Sequence, residues 1–547
     1  MNIHFSVFLL ALLSGGLPLA QVAPSSEAGK TTTSAPTPIV LGPGKTTATC
    51  IDKDGDGYGL GPGCANGPDA DDNDSSVKTA QDIIAKYGSM RAFLNHHIQE
   101  TLGDPNYSVH KILYVDAAHG KEFGARANDE KHSHRSVPTY LKSGDVVLFR
   151  AGDYPRMSPH GSSSGFPVVY MAYPGEVVRV DASSYEAFNL INAHGLVLDG
   201  FLIYSSYARG GAQCVSGGSE VSKPVANPPF HDVIIQNFDC ANCTRGLHII
   251  NGLLNLVIQD SVLHDMPYGT GTHPVYLGSA GAPSRNVTVR RNLIFNSGIE
   301  GNGFQFNGRV TNLVVDSNII YNSQGAGISL LQGVSNSLIT NNLVFNHSNG
   351  GIKIMDYYAG DPHLLAYDQT GNVIENNTIW QGLKDWHDGD GISSSPIYVF
   401  HAGGLKTGNL GNNIFRNNIL ITSFGSDIPA IDFRDADRPD ELHTSTFQNN
   451  IVWSTTPTKI VARNGPRKYD CEQLVAATTD SSNCINSKPL FVDVNTGYYK
   501  QALRFNFLLR EGSPAIGAGT PTGAPSIDLK GVARPNPPSI GAYEYPE

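Results

Sequence analysis

Residues 284–354 read SRNVTVRRNLIFNSGIEGNGFQFNGR, VTNLVVDSNIIYNSQGAGISLLQG and VSNSLITNNLVFNHSNGGIKI in succession. Asn-Leu-Ile-Phe-Asn at 292–296 returns as Asn-Ile-Ile-Tyr-Asn at 318–322 and Asn-Leu-Val-Phe-Asn at 342–346, at steps of 26 and 24 residues. Weaker copies start at Ser261, Asn377, Asn418 and Asn450. A period of this size, built from short β-branched runs between Gly and Asn, predicts a solenoid of stacked rungs. The apolar runs are too short for helix and alternate in twos, which predicts strands. Asn at each corner tolerates left-handed backbone angles, and its amide can bond the copies above and below.

The repeat resembles the right-handed parallel β-helix proteins, a family rich in enzymes acting on polysaccharides, over roughly residues 110–545. The resemblance implies an all-β, right-handed parallel β-helix; it does not fix the activity, because lyases, hydrolases, epimerases and adhesins share the fold.

The chain of 547 residues has 59 Gly, 33 Pro and only 16% charged residues, which suits a turn-rich β protein. Its 38 Lys and Arg against 49 Asp and Glu give −11 with no basic run, so nucleic acid is not expected as a partner. Residues 1–20 read as a secretory signal peptide and 21–48 as a disordered Ser/Thr/Pro/Gly linker. No membrane span follows, and the expectation is a secreted monomer, extracellular or periplasmic. Seven cysteines suit an oxidising compartment. Cys50 with Cys64 and Cys471 with Cys484 are natural staples; Cys214, Cys240 and Cys243 leave one odd thiol, with a structural disulfide expected from Cys214.

Residues 49–77 carry Asp52, Asp54, Asp56 and Tyr58, then Asp69, Asp71, Asp72 and Asp74. Asp at alternate positions followed by Gly lets a tight loop aim hard oxygens at a calcium ion. Gly63 stands at the twelfth place from Asp52, so this is no EF-hand. The run resembles the DxDGDGYG calcium-binding repeat of secreted bacterial proteins, which implies a structural Ca2+. Residues 78–110 show helical spacing and are read as an N-terminal cap over the open first rung, with the β-helix itself over 111–547. The closing stretch, Gly512 to Glu544, is similar to the end of many secreted bacterial β-helix proteins.

Within the third strand of each rung, alternation sends Tyr276, Gln305, Ser329, Lys353, Tyr398 and Asp432 outward as one file across the rungs. Small residues two places earlier (Pro274, Gly303, Gly327, Gly351, Pro396, Ala430) are read as carving a shallow groove beside it. Past residue 355 the steps between corner Asn residues grow to 35, 41 and 32, so long loops gather there. Lys353 and Tyr398 are expected as neighbours, with His401 and Asp356 beyond them on the same strands, and Arg309 and Arg434 on flanking ones. Trp386 lies in the loop before Tyr398, and His273 lies before the file as a candidate base or sugar contact.

β-Elimination of a uronate glycan needs a base, an acid and a cation, which Lys353, Tyr398, His401, Asp356 and Arg309 can supply. A hydrolase would need two facing carboxylates, from Asp356 with Asp432 or Asp388 with Asp390. Asp361-Pro-His363 looks like part of the epimerase Asp-Pro-His-Asp motif, but Leu364 holds the fourth place. The reading is an extracellular polysaccharide lyase, with a glycoside hydrolase or a non-catalytic carbohydrate-binding or adhesion solenoid as rivals, and a second Ca2+ in the groove left open.

Overall fold

A computed structural model describes residues 50–545, except 65, 117–136, 139, 184, 206–211, 221–226, 267–270, 279–281, 299–300, 358–366, 382–394, 403–407, 424–427, 436–437 and 496–503. The expected signal peptide and linker lie outside the described residues, as do Trp386, Asp388, Asp390 and the Asp361-Pro-His363 tripeptide.

Three sheets run the length of a β-helix, parallel throughout except where Arg467–Tyr469 folds back antiparallel on Ala462–Asn464 at the end of the third. The first holds twelve strands, from Lys111–Val115 to Thr446–Gln448; the second and third hold eleven each. Each turn of the coil contributes one short strand per sheet. The repeat sets the register: Leu293 pairs with Ile319, and Ile319 with Leu343, so equivalent residues stack. Alternation divides each strand between core and outside. In Val310–Asp316, Leu313 and Val315 are buried while Thr311 and Val314 are half-exposed.

The two asparagines of each repeat do different work. The first forms an internal ladder. The backbone N–H and Nδ2 of Asn292 both donate to Asn318 Oδ1 at 3.0 Å, and Asn318 does the same to Asn342. The ladder continues through Asn377 and Asn418 to Asn450, with Nδ2 to Oδ1 distances of 2.9–3.0 Å. The left-handed residue is the one before it, Arg291, Ser317 or Asn341, with φ of 54–56°. The second asparagine (Asn296, Asn322, Asn346) is also left-handed, at 56–58°. This second asparagine does both jobs expected of a corner residue, since Asn322 Nδ2 donates to Asn296 Oδ1 at 3.1 Å and Asn346 Nδ2 to Asn322 Oδ1 at 3.3 Å. The internal-ladder residue is not left-handed, and its amide turns inward.

Helix α1 (Ala80–Tyr87) starts at a capping box of Thr79 and Asp82, and α2 (Met90–Leu102) at the Ser89 cap. Met90, Phe93, Leu94 and Ile98 pack on Tyr114, Val146, Leu148, Val169, Met171 and Val197, the outward residues of the first sheet. These helices thus shield the flank of the first rungs; the packing does not put them across the open end as a cap. The outer face of the second sheet bears a column of stacked rings, His264, Phe295, Tyr321 and Phe345, at 5.0–5.2 Å. The C-terminal segment covers it: Phe505 meets Phe345 edge-on at 4.4 Å, and Phe507, Ala515, Ile540, Ala542 and Tyr543 join the same apolar cluster.

Disulfides join Cys50 to Cys64 and Cys471 to Cys484, as the spacing predicts. Cys214 pairs with Cys240, leaving Cys243 free and buried. Among the described residues, no helix is long and apolar enough to cross a membrane.

Candidate active site

With the first sheet flanked by α2 and the second sheathed by the C-terminal segment, the third sheet carries the polar file. The register sets Tyr276 beside Gln305, Gln305 beside Ser329, Ser329 beside Lys353, Lys353 beside Tyr398, and Tyr398 beside Asp432. His248 precedes Tyr276 and Arg463 follows Asp432 in the same file.

The file is enclosed at its centre. Lys353 is only 5% exposed, Tyr398 1%, and Ser329 and Asp432 are fully buried. The small residues beside it do not carve a groove. A Cβ at Gly303 would stand 2.5 Å from Ile320 Cγ2, at Gly327 2.4 Å from Val344 Cγ1, and at Gly351 2.2 Å from Ile379 Cγ2. The chain bends inward there, and these glycines make room for core side chains of the second sheet; Ala430 also belongs to the core.

Burial lowers the Lys353 ammonium to about 8, and no carboxylate among the described residues offsets it. The buried Ser329 hydroxyl on the neighbouring rung makes no hydrogen bond. On the other side Arg434 Nη1 donates to the Tyr398 hydroxyl at 2.6 Å. Burial holds the Tyr398 phenol above its ordinary value, although Arg434 pulls the other way.

Asp356 and His401 pair across the same two strands but three residues beyond Lys353 and Tyr398, and so on the core side. His401 Nδ1 contacts Asp356 Oδ2 at 3.4 Å and Nε2 contacts Glu441 Oε1 at 2.8 Å. Burial opposes its charge, but these two hydrogen bonds prevail and raise it to about 9. An imidazolium clamped at both nitrogens has no lone pair for a substrate proton. The expected catalytic roles of His401 and Asp356 are thus corrected to a structural ion triad with Glu441. Asp432 is gripped by Arg463, with Nε to Oδ1 at 2.8 Å and a second contact from Nη2 to Oδ2. Arg309 stands over the Tyr367 ring at 5.1 Å, at the corner beyond its strand, and not in the file.

His273 Nδ1 accepts the Asn302 backbone N–H at 3.0 Å, and Asn302 Nδ2 donates to Gln305 Oε1 at 2.6 Å. Burial, then Arg245 and Lys353, push His273 down to about 3. A neutral ring with Nδ1 accepting keeps its proton on Nε2, so His273 is a donor and not the base.

Among the described residues, the donor groups close enough to share one metal ion are Asp52, Asp54 and Asp56, and the three cysteines Cys214, Cys240 and Cys243. The structure thus supplies no such set in the file. In the N-terminal loop the buried oxygens Asp54 Oδ2, Asp56 Oδ2 and Asp69 Oδ2 make no hydrogen bond. Burial and then Asp56 raise Asp54 to about 6, while burial and the carboxylates of Asp56, Asp72 and Asp54 raise Asp69 to about 8. Crowded carboxylate oxygens without hydrogen-bond donors fit a hard cation, with Asp56 Oδ2 also facing Lys78 Nζ at 3.6 Å. The other expected ligands are engaged elsewhere: Asp71 accepts the Tyr87 hydroxyl at 3.0 Å, Asp72 faces Lys53 Nζ at 3.6 Å, and Asp74 pairs with Lys86 and the Ser76 hydroxyl. Lys78 Nζ stands 5.9 Å from the centre of the Tyr58 ring.

The residues that sequence reasoning passed over are Arg245, His248, Arg463 and Glu441. His248 stands between Leu247 and Ile249 in the same alternation that marks Tyr276, and was legible one rung earlier. Glu441, on a separate short helix, left no such sign.

A family profile described as a right handed beta helix region matches residues 203–361. No curated protein matches. Among solved structures, the chain is similar to the A-module of the mannuronan C-5 epimerase AlgE4 of Azotobacter vinelandii, at 15% identity and TM-score 0.41 over 62% of this chain and 86% of that one. It is also similar to the pectate lyase Pel9A, at 13% and 0.36 over 81% and 98%. A GH136 lacto-N-biosidase from Eubacterium ramulus aligns at 12% and 0.41 over 75% and 72%. Similarity at this level says nothing about chemistry.

Proposed function

We propose that the chain is an extracellular carbohydrate-acting enzyme that cleaves a uronate-containing polysaccharide by β-elimination at the third-sheet file. The observation that carries this reading is Lys353, a buried amine lowered to about 8 with no carboxylate partner among the described residues, one rung from Tyr398, whose hydroxyl Arg434 holds from the rung beyond. Neutral Lys353 takes the proton on the carbon beside the uronate carboxylate, and Arg434, with N–H groups to spare, steadies the negative charge that develops. The electron pair forms the carbon–carbon double bond as the bond to the leaving glycosidic oxygen breaks. Tyr398, kept protonated by burial, gives its proton to that oxygen, and Arg434 offsets the phenolate left behind.

Hydrolysis draws no support from Asp356 and Asp432, since His401 and Arg463 occupy these carboxylates and they face opposite sides of their strands. A structural Ca2+ held by Asp52, Asp54, Asp56 and Asp69 in the N-terminal loop belongs to the same proposal, as does secretion, with which the three disulfides agree. The test is incubation with a panel of uronate and neutral polysaccharides. Ultraviolet absorbance from the new double bond is expected with a uronate polymer; reducing ends without absorbance would overturn elimination.

A further inference from the structure

Three and four rungs before Lys353 the file passes through a second group of polar side chains. The Arg245 guanidinium stands 5.9 Å from the centre of the Tyr276 ring. The same ring meets His248 at 5.1 Å and His273 at 5.5 Å. Tyr276, Arg245 and His248 are half-exposed, unlike the enclosed centre of the file.

The charges here are one-sided. Among the described residues no carboxylate pairs with Arg245, and its buried Nε makes no hydrogen bond. His248 Nδ1 is engaged by Gln213 Oε1 at 3.1 Å, and the Tyr276 hydroxyl accepts from Asn307 Nδ2 at 2.8 Å. Burial and then Arg245 lower His248 to about 4, and His273 also feels Arg245, so both imidazoles are neutral. An unpaired, accessible guanidinium beside an aromatic face and two neutral rings is unusual in a chain of net charge −11. Arg binds carboxylates through paired N–H donors, and an aromatic ring offers a platform for an apolar sugar face.

We infer that Arg245, with the Tyr276 ring and His248, forms an anion-binding subsite for a second uronate carboxylate of the same glycan chain. Parallel rungs lie about 4.8 Å apart, which puts Tyr276 roughly 14 Å and the rung of Arg245 and His248 roughly 19 Å along the file from Lys353. The enzyme then reads charge at a distance from the bond it cuts and favours long anionic substrates over short ones. The inference rests on the third-sheet file being the glycan site.

Calorimetry in an inactive Lys353→Met background tests it with uronate oligosaccharides of defined length. Arg245→Gln is expected to weaken binding of a hexasaccharide about tenfold or more, with a smaller effect in high salt. A disaccharide, too short to reach Arg245 from Lys353, and a neutral hexasaccharide are expected to bind both proteins alike. Arg245→Lys, which keeps a point charge, is expected to restore part of the affinity. Equal hexasaccharide affinity with and without Arg245, in proteins of unchanged melting temperature, would overturn the subsite, as would failure of the hexasaccharide to bind at all. Arg245-dependent binding without unsaturated products from the native enzyme would retain the subsite and remove elimination. Unsaturated products with no effect of Arg245 would do the reverse.

Discussion

Arg434 Nη1 meets the Tyr398 hydroxyl at 2.6 Å, and the tyrosine stands one rung from a lysine that no carboxylate among the described residues balances. A phenol that keeps its proton and a guanidinium that can neutralise its conjugate base make a matched pair. Tyr398→Phe is expected to cut kcat about a hundredfold or more while leaving the fold intact, since the ring stays stacked on Phe400. Arg434→Gln is expected to lower kcat by a smaller factor. Steady-state rates on the best uronate polymer check both, and unchanged rates would remove the pair from the mechanism.

Lys353 is expected to set the pH profile. Its folded value of about 8 lies below the ordinary 10.5, so the neutral base gains population as pH rises through 8, and kcat/KM should climb to a plateau above it. The same shift has an opposite face in stability. A lysine whose folded value is depressed penalises folding below about 8, and the penalty disappears as pH approaches 10.5. Lys353→Met is therefore expected to abolish turnover yet raise stability near neutrality by about 1–3 kcal/mol, read from urea unfolding.

His401 runs the other way. Its folded value, raised to about 9, means the ion triad contributes stability in full below the ordinary 6.5 and loses it as pH rises through 9. His401→Gln is expected to cost on the order of 2–3 kcal/mol near pH 6 and little near pH 10. A gap that stays constant between the two would refute the triad.

Chelation of divalent cations is expected to lower the melting temperature, with calcium restoring it in proportion to the logarithm of its concentration. Asp54→Asn should remove most of the calcium response and leave the activity of the folded enzyme unchanged in the cold. A melting curve indifferent to both chelator and calcium would rule out the loop as a metal site.

Asn318→Ala removes one member of the internal ladder and leaves buried partners on both neighbouring rungs unsatisfied, at a cost of about 2–3 kcal/mol. Asn286→Ala, from the exposed column where Asn286 bonds Asn255, should cost little. Equal effects from the two would argue against the ladder as the spine of the coil.

The adjacency of Lys353 and Tyr398 was legible because strand parity and one repeat suffice to place them. That same parity puts Asp356 and His401, three residues on, against the core, so their misplacement was a matter of not carrying the alternation far enough. The small residues misled for the opposite reason: at Gly303 and Gly327 the chain turns a corner, and parity ceases to hold. What neutralises Asp432 lay on a rung whose apolar signal, Ala462-Arg463-Asn464, is faint. The seat of α2 was hidden as well, because an amphipathic helix declares that it has a buried face but not which surface receives it.

The asparagine ladder keeps the same bond lengths whether its members are 24, 26, 35, 41 or 32 residues apart in sequence. It counts turns of the coil and is blind to how much chain lies between them. Segments on the rim can therefore be exchanged like tools on a fixed handle, and a different sugar specificity requires no new scaffold.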